Sequence, residues 1–347
     1  QGLEPYPDFS TWETFTENQD EESDDSTPIA ESDPMLSEAA HILSNQIHLL
    51  SQNNSDISEM HKTAQNSTKD YSMTDQIFKI MSFNVNGLRS RLDQLSNVIE
   101  YHQPDLIGLQ ETKVSDEEFP HDAITSMGYK ANTYGQKGHY GVALLSKDRA
   151  QSTQFGFPSD SKDSQRRMIH GRYKVNDKTL HLINCYFPQG EGRHHPSKFP
   201  AKEKFYADLL DYLNSNFNSD DLVIVLGDMN VAPENIDVGI KPENARRWLK
   251  TGKCAFLPEE REWLKALLDW GLIDTYRVNN PDNHLAYSWF DYRSRGFEQN
   301  PKRGLRIDLI LASRATSSYM SSTGIDFEAR AQHKPSDHCP IWLDLNL

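Results

Sequence analysis

The stretch that most constrains this chain is Leu222–Asn230, LVIVLGDMN. Five apolar residues in a row, Leu222 to Leu226, predict a strand buried on both faces. The run breaks at Gly227 and delivers Asp228 and Asn230 just beyond its end. In sheets built of such strands, ligands and chemistry collect at the strand ends. The same order recurs along the chain. Ile77–Phe83 ends in Asn84 and Asn86, Leu106–Leu109 in Gln110 and Glu111, and His181–Cys185 in Tyr186. Ile307–Ala312 carries Asp308 near its start, and Asp337-His338 immediately precede Cys339–Leu345. Acids, amides, a Tyr and a His at so many strand ends predict one polar site on a β-rich scaffold.

Further strands are expected at Tyr140–Ser146 and Met168–Val175, and helices at Leu92–Tyr101, Lys202–Asn214, Pro242–Leu249 and Pro258–Trp270. The last helix opens PEEREW, with acids in its first turn as the helix dipole favours. No linker or internal repeat interrupts residues 73–347, which read as one continuous α/β domain.

Charge sets the N-terminal part aside. Residues 1–72 hold 15 acids against Lys62 and Lys69, while the rest, with 36 acids against 34 bases, is close to neutral. The acidic run Glu17–Asp25 and its Ser-, Asn- and Gln-rich surroundings predict a disordered tail, because too little apolar surface is present to offset chain entropy. Within it, Leu36, Ala39, Ala40, Leu43 and Ile47 fall at helical spacing. The first reading of that segment is a nascent helix in a solvated tail; the second is an arm that docks on a basic groove. A near-neutral body can still carry a basic face, so net charge does not exclude a polyanion as partner.

Cys185, Cys254 and Cys339 form an odd, widely spaced set with no CxxC pair, which fits neither a disulfide framework nor a structural zinc site. No apolar run is long enough to cross a bilayer, and no basic-then-apolar signal opens the sequence. The chain is expected to be intracellular, with no membrane partner and nothing that demands more than a monomer.

Glu111, Asp228, Asp308 and Asp337 would crowd one site if their strands converge. Two carboxylates about 4 Å apart repel by roughly 4 kcal/mol at an effective dielectric near 20, so the group calls for a cation, protons or donors. An oxygen-rich set with few sulfurs or histidines favours Mg²⁺ or Mn²⁺ over Zn²⁺. Such an ion beside His338 and Tyr186 suits hydrolysis of a phosphate ester. Each residue alone has a plainer explanation: a turn-forming Asp or Asn, a structural His, a core Tyr. The joint pattern is what favours a site.

Seven segments then occur in order: IMSFNVNGLRSR at Ile80–Arg91, PDLIGLQETK at Pro104–Lys113, YFPQG at Tyr186–Gly190, LGDMN at Leu226–Asn230, YSWFDYR at Tyr287–Arg293, GLRIDLILAS at Gly304–Ser313 and KPSDHCP at Lys334–Pro340. With these, residues 73–347 resemble the bacterial exonuclease III family of abasic-site endonucleases, within the endonuclease/exonuclease/phosphatase superfamily; the tail has no counterpart there. LGDMN and SDH are shared across the superfamily, whereas YFPQG, WFDYRS and GLRIDLILAS are more specific.

The resemblance implies a four-layer α/β sandwich of two face-to-face mixed sheets flanked by helices. It implies Glu111 as principal metal ligand, with Asn84 lining the metal site and Asp228, Asn230, Asp337 and His338 around it. Asp228, assisted by Asn230, would orient or deprotonate the attacking water; His338, held by Asp308, would contact the scissile phosphate; Tyr186 would support it. Trp289, Phe290 and Leu305 would form a small apolar pocket for a flipped-out sugar lacking its base. Arg167 and Gln189, with Arg166, Lys137 and Arg193, would meet the DNA backbone without reading sequence.

The implied activity is that of a Mg²⁺-dependent DNA repair nuclease, with Mn²⁺ as an alternative ion. It cuts duplex DNA 5′ to abasic sites, trims 3′→5′ and removes 3′-blocking phosphates, in the bacterial cytoplasm at the nucleoid. Two rival readings stand beside it: a phosphatase acting on a lipid or inositol headgroup, and a binding module whose acidic tail covers the groove.

Overall fold

The apolar runs become the inner strands of two six-stranded mixed sheets in the computed structural model, which describes residues 77–347. The acidic segment 1–72, including the helical spacing at Met35–Leu50, lies outside the described residues. The first sheet comprises β1 (Ile77–Asn84), β2 (Leu106–Gln110), β3 (Lys130–Tyr134) and β4 (Val142–Ser146), with β11 (Met320–Ile325) and β12 (Ile341–Asn346) from the far end of the chain. Its strand order is β11-β12-β1-β2-β4-β3. The second sheet comprises β5 (Ser152–Phe155), β6 (Met168–Val175), β7 (Lys178–Tyr186), β8 (Leu222–Asp228), β9 (Leu272–Asp274) and β10 (Asp308–Ser313), in the order β5-β6-β7-β8-β10-β9.

The sheets share one buried layer. Ile80, Leu106, Val142, Leu144 and Leu343 of the first meet Leu180, Leu182, Ile224, Leu226 and Ile310 of the second. The outer faces are apolar as well, which is why the central strands read as unbroken runs rather than alternating ones. Helices α1 (Leu92–His102) and α2 (His121–Ser126) cover the first sheet through Leu95, Val98, Ile99 and Ile124. Helices α3 (Lys198–Asn216) and α5 (Pro258–Trp270) cover the second through Tyr206, Leu209, Leu213, Leu264 and Leu267. Between those two helices in sequence, α4 (Pro242–Thr251) packs on a satellite core with Phe256, Leu305 and Ile307. The expected four layers are present.

Topology gathers the polar ends. β1 runs parallel to β2, and β7 to β8, so each pair finishes at one edge of its sheet. β10 and β12 run antiparallel to β8 and β1, so they begin where those strands end. Asn84, Glu111, Tyr186, Asp228, Asp308 and His338 thereby meet at one mouth of the sandwich. The expected break at Gly227 is not there, and β8 continues through it to Asp228. Gly227 has φ +138°, and a Cβ on it would stand 1.9 Å from the Cys185 carbonyl oxygen. The glycine serves close approach to β7, not strand termination.

No helix among the described residues is long and apolar enough to cross a membrane. All three cysteines are buried free thiols, and burial raises the thiols of Cys185 and Cys339 out of the reactive range.

Far from the mouth, β6, β7 and α3 enclose a histidine pair. His170 Nδ1 lies 2.9 Å from the Tyr212 hydroxyl and its Nε2 lies 3.0 Å from His181 Nδ1, with the Phe217 ring against both imidazoles. Burial, then the charge of His181, lowers the His170 pKa to about 4. Between pH 6.5 and about 4 the unfolded chain binds this proton and the folded one does not, so stability falls as pH falls through that window. The loss attributable to His170 is expected to reach about 3 kcal/mol at its limit. Urea midpoints at pH 7 and pH 4.5 should converge when His170 is replaced by Gln; an unchanged pH slope would exclude this origin.

Candidate active site

Asp308 and Asp228 are directly opposed across β10 and β8. Two buried carboxylates in that register require compensation, and His338 supplies it. His338 Nδ1 lies 2.8 Å from Asp308 Oδ2, and Nε2 lies 3.9 Å from Asp228 Oδ2. Burial alone would lower the imidazole, but Asp308 and Asp228 outweigh it and hold its pKa up at about 10. The two carboxylates thus favour the protonated ring. Burial pushes the Asp228 carboxyl up to about 8, against the pull of His338 and with repulsion from Asp308 and Glu111 adding to it. A carboxylate so placed accepts a proton readily near neutrality.

Amides hold these acids in place. Asn84 Nδ2 donates to Glu111 Oε1 at 2.9 Å and to Asp228 Oδ2 at 3.0 Å, bridging the two sheets. Asn230 donates its backbone N–H to Asp228 Oδ1 at 3.0 Å and its Nδ2 to Asp228 Oδ2 at 3.1 Å and to the Phe187 carbonyl at 3.0 Å. Asn86, Glu111 and Asn230 all adopt positive φ, at 45°, 52° and 54°. Each such residue costs about 1 kcal/mol of backbone strain, which the site's hydrogen bonds offset.

Glu111 is drawn two ways. Burial raises its pKa, yet Lys113, through charge and a hydrogen bond, and then Asn84 lower it overall. Lys113 Nζ stands 2.8 Å from Glu111 Oε2 and also donates to Asn86 Oδ1. Asn86 Nδ2 in turn donates to Asp337 Oδ1 at 2.8 Å, and Trp289 Nε1 donates to Asp337 Oδ2 at 3.0 Å. Each Asp337 oxygen thus accepts one hydrogen bond, and this acid closes a relay from Lys113 to Trp289. Tyr186 faces Glu111 and Asp228; burial first, then those two charges, raise its phenol well above the ordinary value.

Glu111, Asp228 and His338 place one donor atom each within 4.8 Å of one another, a group able to hold a metal ion. The donor chemistry fits a hard divalent cation: two carboxylates flanked by amides, with no sulfur.

A cleft of about 580 Å³ opens on this group. Its lining includes the apolar side chains Trp289, Leu305 and Ile307 and the cationic Lys241, Arg247 and Arg303, with Trp248 beneath the ammonium of Lys253 at 3.7 Å. Phe290 does not reach the cleft. It is fully buried beside Tyr287 and Cys339, against Phe297 and Phe327. Trp289 forms isolated bridges with Leu305 and His338, and in extended backbone the next side chain points the other way. Ile307, two residues after Leu305, supplies the wall expected of Phe290. That alternation was legible in LRI, where Leu305 and Ile307 flank a charged Arg306.

Of the expected backbone-contact residues, Gln189 lines the cleft, and its Oε1 accepts from the Glu191 N–H at 2.7 Å. Arg167 is only 8% exposed. Its guanidinium lies between the rings of Tyr140 and Tyr186, at 4.2 and 4.6 Å, and donates to the Tyr186 carbonyl at 3.0 Å. It braces Tyr186. Arg166, Lys137 and Arg193 pair with Asp116, Glu118 and Glu259. Asn86 joins the site as its strand-end position predicts, whereas Lys113, although it closes the QETK segment, carried no functional signal in the sequence.

A sequence profile of the endonuclease/exonuclease/phosphatase family matches residues 81–338. The chain is 52% identical over 266 residues to exodeoxyribonuclease III of Haemophilus influenzae, covering 77% of this chain and 99% of that one. Among solved structures, an AP endonuclease from Archaeoglobus fulgidus superposes with a TM-score of 0.71 at 33% identity, over 78% of this chain and all of that one. A Neisseria 3′ phosphatase bound to a product DNA hairpin superposes with a TM-score of 0.69 at 35% identity, over 77% of this chain and 99% of that one.

Proposed function

The chain belongs to the endonuclease/exonuclease/phosphatase family, and from that premise we infer that it is a divalent-metal-dependent DNA repair nuclease cutting 5′ to abasic sites. One observation carries the reading: the His338–Asp308 pair, Asp228 and Glu111 converge at a cleft whose lining includes both apolar and cationic side chains. The same reading makes it a 3′→5′ exonuclease and a 3′-phosphatase. All three activities break one kind of bond, phosphorus to a 3′ oxygen, and leave a 3′-hydroxyl.

Glu111 and Asp228 are the residues we assign to hold Mg²⁺, with Mn²⁺ as substitute. A hard divalent ion held there would supply positive charge against the charge developing on the phosphate. Asp228 orients the attacking water and takes its proton, while Asn84 and Asn230 keep its carboxylate aimed. His338, held by Asp308, is the residue we assign to donate to a non-bridging phosphate oxygen, at the edge of the same metal-competent group. Tyr186, braced by Arg167, offers its hydroxyl to the same phosphate. Asp337 and Asn86 hold Trp289 and Lys113, and Asp337 stands beside the group as a further acid for a second ion.

The wall of Trp289, Leu305 and Ile307 selects the substrate by accepting a sugar without a base. Replacing Leu305 and Ile307 with Ala is expected to erode discrimination between abasic and intact nucleotides by about 10- to 100-fold, the effect of removing a few methylenes from a pocket wall. The ratio of kcat/KM on the two duplexes measures it, and an unchanged ratio would place selection elsewhere.

We assign the catalysis to residues 73–347 and the site of action to the bacterial cytoplasm, where the chromosome lies. Assays in parallel on an abasic duplex, a 3′-phosphate nick and an inositol phosphate test the substrate class. Turnover of the two DNAs alone is expected; turnover of the inositol phosphate alone would overturn the reading. A 73–347 protein should retain cleavage. Activity confined to that shorter protein would keep the enzyme and assign residues 1–72 an occluding role.

A further inference from the structure

Behind the cleft, α3 and α5 bury a Lys–Glu pair that no step described so far uses. The side chains of Lys202 and Glu260 are both 0% exposed, and they are hydrogen-bonded to each other. The ammonium also donates to the Asn230 carbonyl at 2.8 Å and reaches the Gln189 carbonyl at 3.4 Å. Its three hydrogens thus face one carboxylate and the backbones of two loops, those following β7 and β8. The other Glu260 oxygen accepts from the Leu257 N–H at 2.8 Å, at the start of α5.

We propose that Lys202 is a positioning residue for catalysis, holding Asn230 in the left-handed conformation that turns its amide back onto Asp228. The proposal rests on the nuclease reading above. Asn230 at φ 54° adopts a backbone state that asparagine tolerates but does not prefer. Its carbonyl lies in a buried residue, where an unpartnered oxygen is costly. Lys202 satisfies that carbonyl, and so couples the strained turn to a fixed point in the helical layer.

Two neighbours of the pair bind the same loops. Glu259 accepts from Arg193 Nη2 at 2.8 Å, and Arg261 Nε donates to the Ala232 carbonyl at 3.1 Å. Gly190, at φ +85°, lies so close that a Cβ there would meet Cys254 Sγ at 2.9 Å and Lys202 Cδ at 3.0 Å. Three consecutive side chains in the first turn of α5, Glu259, Glu260 and Arg261, therefore tie down the loops that carry Gln189 and Asn230.

A purely structural pair and a positioning residue predict different behaviour. Lys202→Met strands a buried carboxylate and leaves the Asn230 carbonyl bare. Lys202→Met with Glu260→Gln removes the stranded charge and keeps an acceptor for Leu257, so stability returns; the carbonyl stays bare. Steady-state cleavage of an abasic duplex, with thermal unfolding on the same samples, separates the cases. The double variant is expected to recover most of the stability that Lys202→Met loses, short of wild type by the cost of the bare carbonyl, with kcat down about 30- to 100-fold and KM within about 3-fold, the scale of a misplaced catalytic group. If Lys202→Met fails to fold, the double variant is read alone. A double variant that regains kcat along with stability, or that cannot fold, would overturn the proposal. Wild-type protein that fails to cut would instead count against the nuclease reading.

Discussion

Replacing Asp228 with Asn is expected to lower the single-turnover rate on an abasic duplex by about 10³- to 10⁴-fold, with DNA affinity within a few-fold of wild type. The change is nearly isosteric and sits among groups that already hold it from three directions: Asn84 Nδ2, Asn230 Nδ2 and the Asn230 N–H. The fold has little reason to move. The new amide is no base and a weaker metal ligand, and it carries no charge to favour protonation of His338 3.9 Å away. All three contacts are donors, so the new NH₂ must face either the Asn230 N–H or the amides of Asn84 and Asn230, a local loss of one or two hydrogen bonds. Rapid-quench rates alongside fluorescence anisotropy separate chemistry from binding. A loss confined to binding would remove Asp228 from the chemistry.

The second large effect is on stability. Arg306→Leu is expected to destabilise the protein by about 3–5 kcal/mol, because it leaves buried carboxylates without their partner. Arg306 is 1% exposed and forks between two acids. Its Nε donates to Asp237 Oδ1 at 2.6 Å and its Nη2 to Asp237 Oδ2 at 3.1 Å, while Nη1 and Nη2 meet Asp274 at 3.1 and 2.7 Å. Arg277 remains at 2.6 Å from Asp237 Oδ1, so that acid keeps one cation and Asp274 loses its fork. At roughly 2–4 °C per kcal/mol for a domain of this size, the melting temperature should drop by about 10 °C. As a control, Lys204→Ala, which breaks an exposed helix pair with Asp208, should change stability by less than about 1 kcal/mol. Urea unfolding of both variants tests the contrast, and an Arg306→Leu loss as small as that of Lys204→Ala would contradict it. Leu305 and Ile307 flank Arg306 on the opposite face, so the same fork also sets the cleft wall.

Much of the site was legible in the sequence for a physical reason. Strands covered on both faces leave no room for polar residues except at their ends, so Asn84, Glu111, Tyr186 and Asp228 announced themselves by position. The half-exposed edge strands β3, β5 and β11, such as KANTY and MSSTGI, lack that contrast. Register shifted by one or two residues at several ends, as where β10 begins at Asp308 rather than Ile307. The stretch around Trp289 and Phe290 forms no strand, only isolated bridges. Nothing local therefore said which aromatic ring would face the cleft. Lys202 was beyond local reading altogether. A lysine in an amphipathic helix looks solvated until the partner 58 residues away, Glu260, is brought over it.

The most direct test of the account is cleavage of an end-labelled duplex carrying one tetrahydrofuran abasic analogue, with Mg²⁺, with EDTA and with the Asp228→Asn protein. A first product cut 5′ to the analogue and bearing a 3′-hydroxyl, followed by shorter 3′-trimmed fragments, is expected from wild type in Mg²⁺, and neither is expected in the other two reactions. Equal cleavage in EDTA, or an Asp228→Asn protein as fast as wild type, would contradict a metal-dependent site built around Asp228.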